Sequence, residues 1–268
     1  MIIRILSNTF PKYFAKKFYD KLLNPQIRKN REHELATLAK AEKEMIEINN
    51  NKIQLYKWGN SKKKILLVHG WEGQAANFSE IIEELLLSNY TIYSFDGPGH
   101  GQSTGGSNIM FEYRDSVKFI IEKFDVNQIV SHSFGSVVTT YALSQLPNHK
   151  IDRYVLLTTP WTFRGYVSNI SNQIGIGEKS INEFIRIIED EKKERVEEMD
   201  VSKYVTTANI EKALIIHDIN DKVIPISEAE EVAKRWDKAE LQKIENTGHF
   251  RILRTSDVTK RILEFIEN

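Results

Sequence analysis

Gln128-Ile129-Val130-Ser131-His132-Ser133-Phe134-Gly135 decides how this chain folds. Gln128 to Val130 is a short β-type run, and the residues after Gly135 read as a helix reaching to about Leu146. A serine at such a junction sits on a sharp strand-to-helix turn. The turn lifts its hydroxyl above the sheet edge, at the positive end of the helix dipole. Residues two before and two after must be small, because neighbouring backbone crowds the turn. Gly135 meets that need, and Ser131 stands where the Gly-x-Ser-x-Gly pattern has its first glycine. Taken alone, the stretch also fits an ordinary helix start rich in Ser and Gly, so its surroundings decide.

Outward from this point, strands and helices alternate. Ile65 to Val68, Thr91 to Phe95, Tyr154 to Leu157, Ala213 to Ile216 and Leu241 to Ile244 read as strands. Helical patterns fall from about Ala75 to Leu87, Phe111 to Phe124, Glu228 to Trp236 and Asp257 to Ile266. Ile65-Leu66-Leu67-Val68 is wholly apolar, as a strand covered by helices on both faces must be. Met45 to Ile48 and Ile53 to Trp58, joined through Asn49-Asn50-Asn51, form a hairpin whose turn residues tolerate positive φ. The expected fold is therefore α/β: a mostly parallel, doubly wound, eight-stranded sheet with an antiparallel start.

Between Pro160 and Ile210 no strand is expected. This stretch of about fifty residues holds an aromatic patch (Trp161, Phe163, Tyr166), a Gly175-Ile176-Gly177 break and a charged helix from about Ser180 to Glu198. It reads as an inserted helical cap over residues 161–210, dividing a core of residues 45–160 and 211–268. Residues 1–44 form a helical N-terminal extension. Phe10, Phe14, Phe18 and Leu22 recur four apart among lysines, Asn24-Pro25 breaks the pattern, and a charged helical stretch runs from about Ile27 to Lys43. The extension is expected to pack on the body or a second subunit, making a homodimer possible. The competing expectation is that residues 1–23 lie on an anionic membrane surface.

Composition narrows the chemistry. The 268 residues carry 37 basic and 37 acidic side chains, which argues against a nucleic-acid-binding surface spanning the protein. With no cysteine, disulfides, thiolate metal sites and a cysteine nucleophile are excluded. The start, Met1 to Ser7, lacks a convincing cleavage site, and no apolar run is long enough to span a bilayer. The cytoplasm is the default expectation. The histidines do not fall at paired helical spacings with a carboxylate, so no metal is expected, and no phosphate-cradling glycine loop followed by Lys-Ser/Thr occurs.

A serine hydroxyl needs a base, and the base needs an orienting carboxylate. Among seven histidines only His249 follows the final strand in a loop, at the carboxyl edge where parallel sheets build their sites. The loop after Ala213–Ile216 offers Asp218 and Asp221, and Asp221, farther out, is the better placed to reach an imidazole. Asp218 reads as a turn residue. The order Ser133, Asp221, His249 is thus the expected triad. His69-Gly70-Trp71-Glu72-Gly73, after the preceding strand, is where one oxyanion-holding amide should arise, with the backbone N–H groups of Trp71 and Phe134 as donors. Asp96 and His100 read as loop supports. Trp161, Phe163 and Tyr166 either line an acyl pocket or simply pack.

From about Met45 onward these motifs resemble the α/β-hydrolase superfamily. His69-Gly70-Trp71-Glu72-Gly73, Ser131-His132-Ser133-Phe134-Gly135 and Gly248-His249-Phe250-Arg251-Ile252-Leu253-Arg254 look like those of a bacterial serine-hydrolase subgroup that also carries a helical N-terminal extension. The resemblance implies the fold, the nucleophile, the acid and the base. The activity expected is esterase-like cleavage of a small or medium acyl compound through an acyl-enzyme, without a cofactor. A C–C hydrolase or thioesterase with the same triad is the nearest alternative, and a non-catalytic binding module the more distant one. Position 133 is not aspartate, which removes dehalogenase and epoxide-opening chemistry.

Overall fold

The computed structural model describes residues 2–23, 25–26, 29–105, 109–192, 195–196 and 199–268. Its strands are β1 (Glu42–Ile48), β2 (Asn51–Trp58), β3 (Lys64–Val68), β4 (Thr91–Phe95), β5 (Gln128–His132), β6 (Ile151–Leu157), β7 (Ile210–Asp218) and β8 (Ala239–Ile244). They form one sheet in the order β1-β2-β4-β3-β5-β6-β7-β8. β2 runs antiparallel to both β1 and β4, and every pairing from β4 to β8 is parallel. The hairpin turns on Asn49 and Asn50 at φ 48° and 66°, the twist that a tight antiparallel connection needs. β1 starts three residues before the expected Met45, because Glu42 pairs across the strands with Lys57, whose Nζ lies 3.2 Å from its carboxylate.

The sheet is covered on both faces, and β3 shows the division with a period of two. Leu66 and Val68 join the core formed with α5 (Ile109–Phe124) and α6 (Phe134–Ser144), while Ile65 and Leu67 join that formed with α4 (Ser79–Leu87) and α12 (Ser256–Glu267). Between β6 and β7 lie α7 (Phe163–Gln173), α8 (Glu178–Lys192) and α9 (Val201–Thr207). The expected end of the charged helix near Glu198 lies outside the described residues.

The N-terminal segment holds α1 (Ile2–Thr9), α2 (Pro11–Leu23) and α3 (Glu32–Ala39). α2 packs on α8, where the Phe18 and Phe184 rings meet edge to face at 4.8 Å. α3 rests on α4: Thr37 Oγ1 donates to Glu83 at 2.8 Å, and the Thr37 carbonyl accepts the indole N–H of Trp58 at 2.9 Å. The second helical stretch is shorter than the expected Ile27 to Lys43, since Lys40 and Ala41 turn the chain into β1. Its expected start at Ile27, and Asn24 of the break, lie outside the described residues. No helix of the described residues is long and apolar enough to cross a membrane.

Candidate active site

β5 ends at His132, α6 begins at Phe134, and Ser133 alone makes the turn, with φ 54° and ψ −125°. A non-glycine residue in that region is strained, and the surrounding bonds hold it there: Ser133 N–H donates to the Leu157 carbonyl at 2.9 Å, and its own carbonyl accepts Ser136 N–H at 2.9 Å. Gly135 is glycine because a Cβ there would lie 2.5 Å from the Val68 carbonyl oxygen and 2.6 Å from that of His69. Ser131, the departure from the glycine pattern, is absorbed by a buried hydroxyl cluster, its Oγ 2.9 Å from Ser136 Oγ and 2.8 Å from the Tyr154 hydroxyl.

The three expected catalytic side chains come together. His249, in the one-turn helix α11 (Gly248–Arg251), directs Nδ1–H to Asp221 Oδ2 at 2.8 Å, and its Nε2 accepts the Ser133 hydroxyl at 3.0 Å. All three are buried. Burial alone would raise the Asp221 pKa, but the hydrogen bond and charge of His249, with the N–H groups of Ile224 and Val223 on Oδ1, outweigh it. Asp221 is held below its ordinary value. The carboxylate is thus an anion that orients the ring.

Asp218 faces away from that chain, toward the histidine loop. Its Oδ1 accepts Asn220 N–H at 2.8 Å, as a turn residue would. Its Oδ2 reaches across to the Gly248 N–H at 2.7 Å and to both the N–H and the hydroxyl of Thr247. Burial pushes its pKa up, these donors pull it down, and the net direction is down.

His132 was given no role by its sequence context beyond its place beside Ser133. In the structure its Nε2–H donates to the His249 carbonyl at 2.8 Å, so it steadies the backbone of that residue. Burial, and next the charge of His249, lower its pKa to about 3, keeping it neutral. His69 and His100 brace the loops alongside. His69 Nδ1–H goes to the Gly70 carbonyl at 2.6 Å while Nε2 accepts Gly97 N–H at 2.8 Å; His100 Nε2 accepts Glu72 N–H at 3.1 Å. Asp96 accepts the N–H groups of Ala75 and Gln102 and the Tyr56 hydroxyl at 2.9–3.0 Å, and burial raises its pKa.

The oxyanion donors were expected at Trp71 and Phe134. Phe134 is the first residue of α6, so its N–H has no partner within the helix. The loop carrying Trp71 touches Ser133, since a Cβ on Gly70 would lie 3.0 Å from Ser133 Cβ. Two cavities flank Trp71. One of about 420 Å³ is lined by Gly70, His132, Phe250, Leu253 and Arg254, with Arg31 and Glu34 of the extension at its rim. The other, of about 100 Å³, is apolar and bounded by Tyr166, Val167 and Ile170 of α7 and by Phe18 of α2.

Of the three cap aromatics, only Tyr166 lines a cavity at the site, and its ring stacks on Phe134 at 5.5 Å. Phe163 is fully buried beside Phe134. Trp161 lies toward α9 and α10 (Ile226–Arg235), donating its indole N–H to Ser202 at 3.1 Å beneath the Arg235 guanidinium. Packing accounts for Phe163 and Trp161.

A family model described as the alpha/beta hydrolase fold matches residues 63–178, the span that holds Trp71, Ser133 and Phe134. No curated protein matches the chain. Among solved structures, the Pyrococcus furiosus esterase Pf2001 is similar at 18% identity, over 91% of this chain and 95% of that one, with a TM-score of 0.67. Est1E from Butyrivibrio proteoclasticus, solved with ferulic acid bound, is similar at 17% identity, over 84% and 100%, with a TM-score of 0.66. The thioesterase domain from the curacin biosynthetic pathway is similar at 15% identity, over 83% and 99%, with a TM-score of 0.61. At such identities the likeness is one of fold, and the chain has the α/β-hydrolase fold.

Proposed function

We propose that this α/β-hydrolase-fold chain is a serine hydrolase that cleaves small or medium acyl esters through an acyl-enzyme on Ser133. The observation that carries the reading is the unbroken chain from Asp221 through His249 to Ser133, at 2.8 and 3.0 Å. His249 Nε2 takes the hydroxyl proton as Ser133 Oγ bonds to the substrate carbonyl carbon, and the Trp71 and Phe134 amides hold the resulting oxyanion. The C–O bond to the leaving group breaks as His249 returns its proton to that oxygen. Water, deprotonated by the same ring, then releases the acid and restores Ser133.

The two cavities suit the two halves of such a substrate. Gly70, His132 and Phe250 border the larger one on the histidine side, where a leaving group must be protonated. The apolar one lies on the Phe134–Tyr166 side and suits a short acyl chain. The esterases and the thioesterase domain among the similar structures are consistent with acyl transfer.

Labelling with a fluorophosphonate, followed by peptide mass analysis, tests the nucleophile. The adduct is expected on Ser133; folded protein left unlabelled, or labelled elsewhere, overturns the reading. A panel of matched esters and thioesters of graded chain length then separates esterase from thioesterase.

A further inference from the structure

α1 is mounted with its polar face inward. Ser7 is fully buried: its Oγ accepts Gly177 N–H at 2.8 Å, and its carbonyl accepts the Ser180 hydroxyl at 2.7 Å. Asn8 Oδ1 accepts Lys179 N–H at 3.2 Å. The apolar face is left to solvent, with Ile2, Ile3, Ile5 and Leu6 exposed by 72, 49, 59 and 43%. Phe10 and Tyr13 continue that face at 59 and 61%, and Ile174 (44%) borders the same groove as Ile2 and Ile3. Seven of the twelve exposed large hydrophobic side chains among the described residues therefore lie in one region. Exposed apolar side chains scattered singly need no explanation, but a contiguous patch does.

The stripe expected from the sequence thus divides. Phe14 and Phe18 turn inward against the core, while Phe10 stays with α1. The side chain of Leu22 lies outside the described ones.

Charge identifies what covers the patch. Residues 2–23 contain Arg4, Lys12, Lys16, Lys17 and Lys21, all exposed, against the single acid Asp20. Lys17 Nζ lies 6.0 Å from the centre of the Tyr13 ring, so a cation stands at the edge of the apolar face. On the neighbouring α8, Glu178 is paired with Arg164, and Glu183 with Arg186. A symmetric pairing of two copies through this face would set the same cations against each other. An anionic bilayer surface offers apolar depth and opposite charge together.

We infer that α1 and the first turn of α2 form a docking face for an anionic membrane surface, with Ile2, Ile5, Leu6 and Phe10 entering the interface and the lysines lying among the headgroups. Ile174 lines both the groove beside Ile2 and Ile3 and the apolar cavity at Trp71, so the docking face adjoins the entrance for an acyl chain. That last step rests on the proposed esterase reading; the docking does not.

The test is co-sedimentation of the full chain with vesicles of phosphatidylglycerol and phosphatidylcholine in equal parts, and with phosphatidylcholine alone. Binding is expected on the anionic vesicles only, weakening about tenfold or more when salt rises from about 50 to about 500 mM. The double variant Ile5→Glu/Leu6→Glu, which keeps the Ser7 and Asn8 bonds, should bind at least about tenfold more weakly at an unchanged melting temperature. A Lys12→Glu/Lys16→Glu/Lys17→Glu variant, altered only at exposed positions, should lose the salt-sensitive part and serves if the first variant does not fold. No vesicle binding, equal binding to neutral vesicles, or full binding by the variants overturns the inference. So does a solution dimer that the double variant dissociates, which assigns the face to a second copy. Vesicle binding is read without turnover, so a failed vesicle assay leaves Ser133 labelling untouched, and the converse holds.

Discussion

The carboxylate of Asp218 accepts the backbone N–H of Gly248 at 2.7 Å, one residue before the histidine that Asp221 orients. Two aspartates three residues apart thus serve one histidine in different ways. Asp221 sets the ring, and Asp218 sets the loop that delivers it.

Substitution separates the two. Asp221→Asn leaves Nδ1 of His249 facing an amide that favours the wrong tautomer, and kcat should fall by a factor on the order of 10³–10⁴. Asp218→Asn turns an amide N–H toward donors that now meet a carboxylate; kcat should fall at most about tenfold, with about 2 kcal/mol of stability lost. Steady-state kcat on an active ester, with urea unfolding of both variants, checks this. Asp218→Asn as the crippled enzyme and Asp221→Asn near wild type would reverse the assignment.

Gly135→Ala tests the crowding at the Ser133 turn. The added methyl meets two carbonyl oxygens of the β3 edge at 2.5 and 2.6 Å, and both belong to backbone, so α6 must move. A cost of about 2–4 kcal/mol is expected, lowering the melting temperature by about 5–10 °C. Displacing Ser133 by a fraction of an ångström should also cut kcat about a hundredfold. Calorimetry and kinetics on the purified variant measure both; an unaltered melting temperature would contradict the packing argument.

Acid should unfold this protein earlier than its carboxylates alone dictate. His69, His132 and His217 are buried and neutral, with pKa values lowered chiefly by burial, His132 to about 3. The unfolded chain binds a proton on each near pH 6.5 and the folded protein does not, so stability falls as pH drops from about 6.5 towards 3. His132 contributes roughly 1.4 kcal/mol per pH unit over that window, and His69 and His217, lowered in the same direction, add to the decline as pH falls below the ordinary histidine value. Asp218 and Asp221, whose pKa values are lowered, add their loss as pH falls through the ordinary carboxylate range and below it. Urea unfolding at pH 7, 6, 5 and 4 should show the decline beginning near pH 6; a flat profile down to pH 4.5 would refute it.

Phe18 lines the apolar cavity from the extension, opposite Tyr166 of α7. Phe18→Ala lengthens that cavity and should shift kcat/KM toward longer acyl chains, raising the octanoate-to-butyrate ratio several-fold, in the range of one or two methylene contacts. Matched p-nitrophenyl esters give the ratio. No change would mean that the acyl chain lies elsewhere.

Much of this site was legible because its chemistry is local. Ser133 and Asp221 each follow a strand whose apolar run is visible in the chain, His249 follows the last, mixed strand, and loops at one sheet edge must converge. Asp218 was legible only as a turn residue, because its bonds to Thr247 and Gly248 span about thirty residues and have no signature of their own. His132 was hidden for the same reason, its partner being the carbonyl of His249, 117 residues away. The cap aromatics were ambiguous because Tyr166 and Phe163 are both buried, and only the three-dimensional placement of Tyr166 on the apolar cavity separates them. The orientation of α1 could not be read, since its pattern marks an apolar face without saying which way that face turns.

The bonds from Ser7 to Gly177 and Ser180 span 170 and 173 residues. A ribosome adding about 5–20 residues per second therefore exposes the first helix on the order of ten seconds or more before its seat exists. Through that interval this helix is a free amphipathic strip, unshielded by the residues it will pack against. Closing so long a loop comes late in folding. The nascent chain thus has its greatest need of chaperone cover, or a chance to meet a lipid surface, before the sheet that carries Ser133, Asp221 and His249 has been completed.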